Sequence, residues 1–241
     1  MRELTKAETV ELSAALSQPY YYQCRGGQVF VFFSADGKYV MKFFRQRLFR
    51  PSWLLNHDPL PKILHLYRNK CNWKRQDELK RDFLSYKTCF EELHDESALL
   101  YCHLNHTSDI KRRLEIIDPL KIHHFIQLDQ FDFIVQRRAK RIFDWIAEEP
   151  VDVAEGFSQI LTLIDTYIKK GFNNRDPFIP NNCGLFENRA ILIDVGAMVK
   201  NDFLKTEEGH KAEFKRITDK FALWLEANYP EHLPAFHEVL K

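Results

Sequence analysis

Three polar side chains stand at fixed intervals around a short hairpin, and no other stretch of the 241-residue chain restricts its folding as tightly. Asp176 lies in Arg175-Asp176-Pro177-Phe178-Ile179-Pro180-Asn181, and Asp194 follows thirteen residues after Asn181 in Ile191-Leu192-Ile193-Asp194-Val195-Gly196. From Asn182 to Ile193 two apolar runs are parted by the polar turn Glu187-Asn188-Arg189. A hairpin of that length brings the chain back to where it began, so Asn181 and Asp194 are expected at neighbouring positions. Asp and Asn are also ordinary turn residues. Read chemically, a carboxylate with an amide oxygen is a donor set that suits a hard divalent cation which keeps several waters.

The segment ahead of the loop agrees with this reading. Val153, Phe157, Ile160, Leu161, Ile164 and Ile168 recur at helical spacing, and Lys169-Lys170-Gly171 supplies cations and then a glycine, a normal helix stop. A helix that leads into Asn174-Arg175-Asp176-Pro177-Phe178-Ile179-Pro180-Asn181, followed by a hairpin and Asp194-Val195-Gly196, resembles the protein-kinase-like superfamily. There a catalytic loop of the His-Arg-Asp-x-x-x-x-Asn type precedes an Asp-Phe-Gly. The resemblance implies a two-lobed α+β fold, a small antiparallel sheet lobe plus a mainly helical one. It implies ATP and Mg²⁺ as cofactors, Asp176 facing an acceptor hydroxyl, and Asn181 and Asp194 as metal ligands. Asn174 stands where the superfamily has His, and Val195 where it has Phe.

A strand lysine for the nucleotide phosphates is then expected upstream. Gln28 to Phe33 and Tyr39 to Phe44 are apolar runs joined by Ser34-Ala35-Asp36-Gly37-Lys38, a hairpin signal with Asp-Gly at its turn. Lys42 lies inside the second run. It is either the solvent-facing member of an alternating strand or, because Val40-Met41-Lys42-Phe43 resembles the superfamily's Val-Ala-Ile-Lys, the phosphate lysine. Gly26-Gly27 is a thin counterpart of the Gly-rich loop and implies weak nucleotide affinity or a different phosphate cover. Leu79, Phe83, Tyr86, Phe90 and Leu93 mark the apolar side of a helix predicted over 74–93. Asp82 beside that stripe is the expected partner of Lys42, with Glu78 as the alternative. Ile122 to Leu128 and Phe131 to Gln136, about Asp129-Gln130, read as the next hairpin. Arg137-Arg138-Ala139-Lys140-Arg141 then takes the place of the interlobe connection, which sets the expected lobes at 1–136 and 137–241.

Between positions 45 and 75 eight Lys or Arg stand against one acid, Asp58, in a chain whose net charge is only +1. That surplus reads as a solvated basic surface or as a contact for an anion: phosphorylated substrate, lipid head group or nucleic acid. Trp53-Leu54-Leu55 within it suits a membrane surface. The near-neutral total carries no clear nucleic-acid signal. A 45% hydrophobic and 14% aromatic content argues against disorder. Five cysteines without a Cys-x-x-Cys pair predict a reducing, cytoplasmic setting. Cys102, His103 and His106 lack a partner pair and read as a polar loop rather than a metal site. No apolar run nears the roughly 18 residues of a membrane span, and Met1 to Lys6 do not read as a signal peptide. After Gly196 no activation segment ending in Ala-Pro-Glu follows. The expected activity is therefore phosphotransfer to a hydroxyl acceptor that is not a peptide, with an anionic or lipid-linked acceptor among those expected. Two alternatives remain at this stage: a pseudokinase that binds nucleotide without turnover, and an adaptor that works through the basic segment.

Overall fold

The computed structural model describes residues 2–45, 62–105 and 107–241, and the chain divides into two compact units. Of the basic segment 45–75, in which an anionic or membrane contact is expected, 46–61 with Trp53, Leu54 and Leu55 lie outside the described residues, as does His106.

The first unit comprises Glu3–Lys87 and Leu100–Gln136. Its helix α1 (Lys6–Ala15) starts at a capping box, in which Thr5 and Glu8 each accept the other's backbone N–H at 3.2 and 2.8 Å. The strands β1 (Tyr20–Arg25), β2 (Val29–Ser34) and β3 (Tyr39–Phe44) form an antiparallel meander. The Asp-Gly signal is met at the β2–β3 turn, where Asp36 accepts from the Ser34 hydroxyl at 2.7 Å and from the Lys38 N–H at 3.0 Å. Helix α2 (Lys62–Glu92) follows, extending the helix expected at 74–93. After a short helix α3 (His94–Ser97), which belongs to the second unit, come β4 (Leu99–His103), β5 (Arg113–Ile117), β6 (His123–Gln127) and β7 (Phe133–Arg137). All seven strands join one sheet in the order β4-β7-β3-β2-β1-β5-β6.

The hairpin expected across 122–136 is not formed. Strand β6 pairs with β5, from Arg113 opposite Gln127 to Ile117 opposite His123, while β7 inserts between β4 and β3. The reason lies in the link between them. The Asp129 carboxylate accepts the N–H groups of Ile110 and Lys111 at 2.9 and 2.8 Å and the Thr107 hydroxyl at 3.1 Å, so it ties the bend to an earlier loop rather than closing a tight turn. Burial agrees, because Phe133, Ile134 and Val135 are wholly enclosed whereas β6 is mostly exposed, as a central and an edge strand should be.

The sheet also curls. Phe43 on β3 and Ile126 on β6 line one cavity of about 450 Å³. Four strand spacings of about 4.8 Å would hold them far apart in a flat sheet. Phe32, Met41, Phe43, Leu100, Leu114, Leu128, Phe133 and Val135 fill the inside of the curl as one apolar core.

The second unit comprises Thr88–Leu99 and Arg137–Lys241, with Met1–Arg2. It contains β8 (Lys140–Arg141), α4 (Ile142–Ala147), α5 (Val153–Lys169), β9 (Phe172–Asn174), α6 (Ile179–Asn182), β10 (Cys183–Phe186), β11 (Arg189–Leu192), β12 (Met198–Lys200), α7 (Glu207–Asn228) and α8 (Leu233–Val239). Helix α5 buries Phe157, Ile160, Ile164, Tyr167 and Ile168, and Phe157 meets Phe221 of α7 and Phe236 of α8 edge to face. It stops where the sequence predicts: Gly171 takes φ +81° and donates its N–H to Ile168 at 2.7 Å. The α+β class expected from the sequence is the class observed, with a sheet unit and a mainly helical unit.

Candidate active site

Strand β9 carries the chain out of α5 and ends at Asn174, a residue only 3% exposed. The Asn174 side chain accepts the Asp176 N–H at 3.0 Å, which bends the backbone and turns Arg175 and Asp176 out to solvent. Arg216 of α7 donates from Nη2 to the Asn174 carbonyl at 2.9 Å. The same guanidinium forks onto Glu213, with contacts of 2.7 and 2.6 Å. Glu213 is 6% exposed. Hydrogen bonding to Glu213 raises the Arg216 pKa above its ordinary value, so the cation is fixed in place. Burial also raises the Tyr167 hydroxyl well above its usual range beside this pair. The backbone of Asn174 is thus held from behind by an arginine.

After Pro177 the chain makes the single turn α6, in which Asn181 is exposed. The loop asparagine expected from the sequence is therefore helical. Asn182 ties the site together. Its Nδ2 donates to the Asp176 carbonyl at 2.8 Å, and its own carbonyl accepts the N–H groups of Ile193 at 2.8 Å and Asp194 at 3.3 Å. The hairpin of β10 and β11 supplies the return path, with Cys183 opposite Leu192 and Phe186 opposite Arg189. Its two-residue turn, Glu187-Asn188, has φ of +47° and +63°, the left-handed pair that suits strand twist. On the outer side of β10, Gly184 faces β8, where a Cβ would meet the Lys140 carbonyl at 2.8 Å and the Ala139 Cβ at 2.9 Å.

Asp194 is exposed, and its Oδ1 accepts the Gly196 N–H at 3.0 Å. Val195 beside it is fully buried and anchors the turn. The chain then folds straight back: β12 pairs with β9, Met198 opposite Asn174, and the Arg175 N–H donates to Ala197 at 3.1 Å. Asp176, Asn181 and Asp194 are in this way assembled around one residue, Asn182, and all three face solvent. No cluster of three or more His, Cys, Asp or Glu suited to a metal occurs among the described residues. The donors at hand, carboxylate and amide oxygens, suit Mg²⁺ completed by water and phosphate rather than a closed zinc site.

The remaining candidates belong to the sheet unit. Lys42 is 8% exposed and β3 is buried along its whole length, so the solvent-facing reading of Lys42 is overturned. Alternation puts Lys42 on the same side as Phe44, whose ring meets Phe83 and Tyr86 of α2 at 4.9 and 5.1 Å. Helix α2 therefore covers the face that carries Lys42. On that helix Asp82 is 7% exposed whereas Glu78 is half-exposed, so Asp82 is the carboxylate on the buried side. Gly26 and Gly27 form the β1–β2 turn. Arg45 donates to the Gly27 carbonyl at 2.7 Å and lies 5.6 Å from the Phe30 ring centroid, a clamp on that turn. A Cβ at Gly27 would meet nothing within 4 Å, so close packing within the chain does not require a glycine there.

Sequence reasoning missed Asn182, Arg216, Glu213 and Arg45. The Glu213 and Arg216 spacing of three on a helix was the one available signal. The run Arg137 to Arg141 is partly neutralised locally, with Arg141 on Asp144 at 2.7 Å and Lys140 on Glu148. Cys102 and His103 are buried on β4, in a strand rather than the polar loop expected. Among the described residues no helix is long and apolar enough to cross a membrane.

No family model and no curated protein matches the sequence. Among solved structures the chain is similar to WbdD with the kinase inhibitor LY294002, at 17% identity and TM-score 0.47, over 91% of this chain and 45% of that one. It is also similar to the Rio2 kinase–ADP/Mg²⁺–phosphoaspartate complex from Chaetomium thermophilum, at 15% identity and TM-score 0.46, over 95% and 65%. A third is the streptomycin–ATP–APH(2")-IIa ternary complex, at 12% identity and TM-score 0.37, over 99% and 87%. The chain spans less than half the length of the WbdD chain it matches. These scores lie below 0.5, so the functional reading rests on the chain's own residues.

Proposed function

We propose that this protein is an ATP- and Mg²⁺-dependent phosphotransferase that acts on a hydroxyl of a non-peptide acceptor. The observation that carries the proposal is the Asn182 hub, which hydrogen-bonds the backbone of both the Asp176 and the Asp194 segments and leaves Asp176, Asn181 and Asp194 exposed together. Asp176 is assigned to orient the acceptor hydroxyl and take its proton. Asn181 and Asp194 are assigned to hold Mg²⁺, which when bound neutralises charge on the transferring phosphoryl group. Lys42 is assigned to the nucleotide phosphates by the resemblance of its strand, and Asp82, buried on the helix that covers that face, is assigned as the partner of its ammonium. A non-peptide acceptor is supported by the way β12 pairs back onto β9 soon after Asp194. The turn Asp202–Lys205 leads from there into α7, which leaves no long segment to dock a peptide. The basic composition between 45 and 75 supports an acceptor that is anionic or lipid-linked.

Turnover tests this directly. With ATP and Mg²⁺, transfer to a panel of sugar and aminocyclitol hydroxyls should fall at least about a hundredfold in Asp176→Ala, the scale of a lost general base, while nucleotide affinity is kept. An Asp176→Ala protein that transfers at the wild-type rate would refute the assignment. The second reading, a nucleotide-binding module without turnover, is favoured by the short Gly26-Gly27 turn held by Arg45. It predicts ATP binding with no transfer to any member of the panel.

A further inference from the structure

The strands that carry Lys42 have a second face with its own cavity. Phe30 pairs with Phe43 and Val31 with Lys42, so Phe30, Phe32 and Phe43 point to the side opposite Lys42. With Ile116, Ile126 and Phe131 from the far arm of the curl they line the cavity of about 450 Å³. That volume lies within the roughly 300–1,000 Å³ range of small-molecule sites. Phe32 and Phe43 are buried in its wall, whereas Phe30 is 37% exposed and Arg25 is exposed, so among the described residues the cavity opens at the arginine end. Among the described lining residues Arg25 and Arg45 are the charged ones, and both are positive. Arg45 is not a loose surface cation: its Nη1 is spent on the Gly27 carbonyl at 2.7 Å, which fixes the guanidinium at the mouth.

An apolar chamber with two cations at its opening selects a molecule with an apolar body and a compact anionic end. A phosphate ester of a polar metabolite would leave the phenylalanine walls unmatched, and an uncharged hydrocarbon would leave the arginines unused. We propose that this cavity binds a free long-chain fatty acid, with the acyl chain among the phenylalanines and the carboxylate against Arg25 and Arg45. Apart from Phe44, which borders it at the end of β3, the site is lined from the face of β2 and β3 opposite Lys42, and its occupancy does not depend on the phosphotransfer reading.

The test uses cis-parinarate as a fluorescent probe, titrated below its micellar range into the full-length chain. A saturable rise with one site per chain is expected, reversed by laurate. Dodecanol, with the same tail and no charge, should need about tenfold more, one decade in affinity, and dodecyltrimethylammonium should do no better than dodecanol. Ile126→Trp, which fills a half-buried part of the wall, should weaken the probe at least about tenfold with an unchanged far-ultraviolet spectrum. Arg25→Gln combined with Arg45→Gln should erase the preference for laurate over dodecanol. Absence of saturable binding to the wild type overturns the proposal, as does equal displacement by laurate and dodecanol, an outcome that needs no variant to fold. If anionic phosphatidylglycerol vesicles sediment the wild type and Ile126→Trp alike while laurate fails to compete, the arginines serve a bilayer, and the free-acid site is likewise overturned.

Discussion

Asn182 is the residue on which the site's geometry turns. Its side chain holds the carbonyl of Asp176 and its backbone holds the strand end before Asp194, so one amide ties both carboxylate-bearing segments. Asn182→Ala removes a solvent-exposed neutral hydrogen bond and should cost about 0.5–1 kcal/mol. Chemical denaturation measures that loss, and hydrogen–deuterium exchange should show faster exchange over 174–178. Unchanged exchange there would mean that Asn182 is only a bystander. Arg216→Ala should cost more, because it strands the Glu213 carboxylate at 6% exposure. Arg216 is itself 44% exposed, and solvent screening holds the expected loss to about 1.5 kcal/mol. Glu213→Gln in the same background should recover part of it, since a neutral amide tolerates burial better than an unpaired charge. Neither residue was legible beforehand. Their roles depend on where a helix thirty and more residues downstream lies against β9, and no local pattern encodes that packing.

Hairpins show which elements a sequence does declare. The turn Glu187-Asn188 joins β10 to β11 by local rules, and the Asp36-Gly37 turn joins β2 to β3 in the same way. Both were readable because the partner strand is the next one along the chain. The expected pairing of β6 with β7 failed because the Asp129 carboxylate binds a loop eighteen and more residues before it, a non-local contact. The left-handed turn gives a direct check. Glu187→Asn with Asn188→Gly places the preferred type I′ residues at φ of +47° and +63° and should stabilise the protein by about 0.5 kcal/mol, read as a higher melting temperature. Gly184→Ala should do the reverse, about 1–3 kcal/mol of overpacking against β8, with no rotamer able to move a Cβ away from the Lys140 carbonyl. Thiol chemistry reads the same packing. Burial pushes the Cys183 thiol up to about 12, so it stays neutral and shielded at pH 8. Iodoacetamide should label exposed Cys24 and spare Cys89, Cys102 and Cys183 until the chain unfolds.

At the scale of the whole molecule, chain order and spatial order part company. The sheet unit draws Glu3–Lys87 together with Leu100–Gln136, while Thr88–Leu99 joins the helical unit, so α2 begins in one and ends in the other. Composition and periodicity declare the α+β class but not this interleaving, which follows from long-range burial of β4 and β7. The convergence of the segments that carry Asp176, Asn181 and Asp194 was legible because their spacing lies within one loop and one hairpin. The burial of Lys42 was not, since an apolar strand with one lysine reads alike whether or not a helix covers it, whereas that of Asp82 agrees with its place beside the apolar stripe. The account stands on metal-dependent nucleotide binding at the exposed triad. Calorimetric titration of ATP with and without Mg²⁺, on the wild type and on Asp194→Ala, measures it most directly. Mg²⁺ should tighten ATP at least about tenfold, one decade of affinity, in the wild type, and should change nothing in Asp194→Ala. Equal affinity with and without Mg²⁺ in the wild type, or no binding at all, would contradict it.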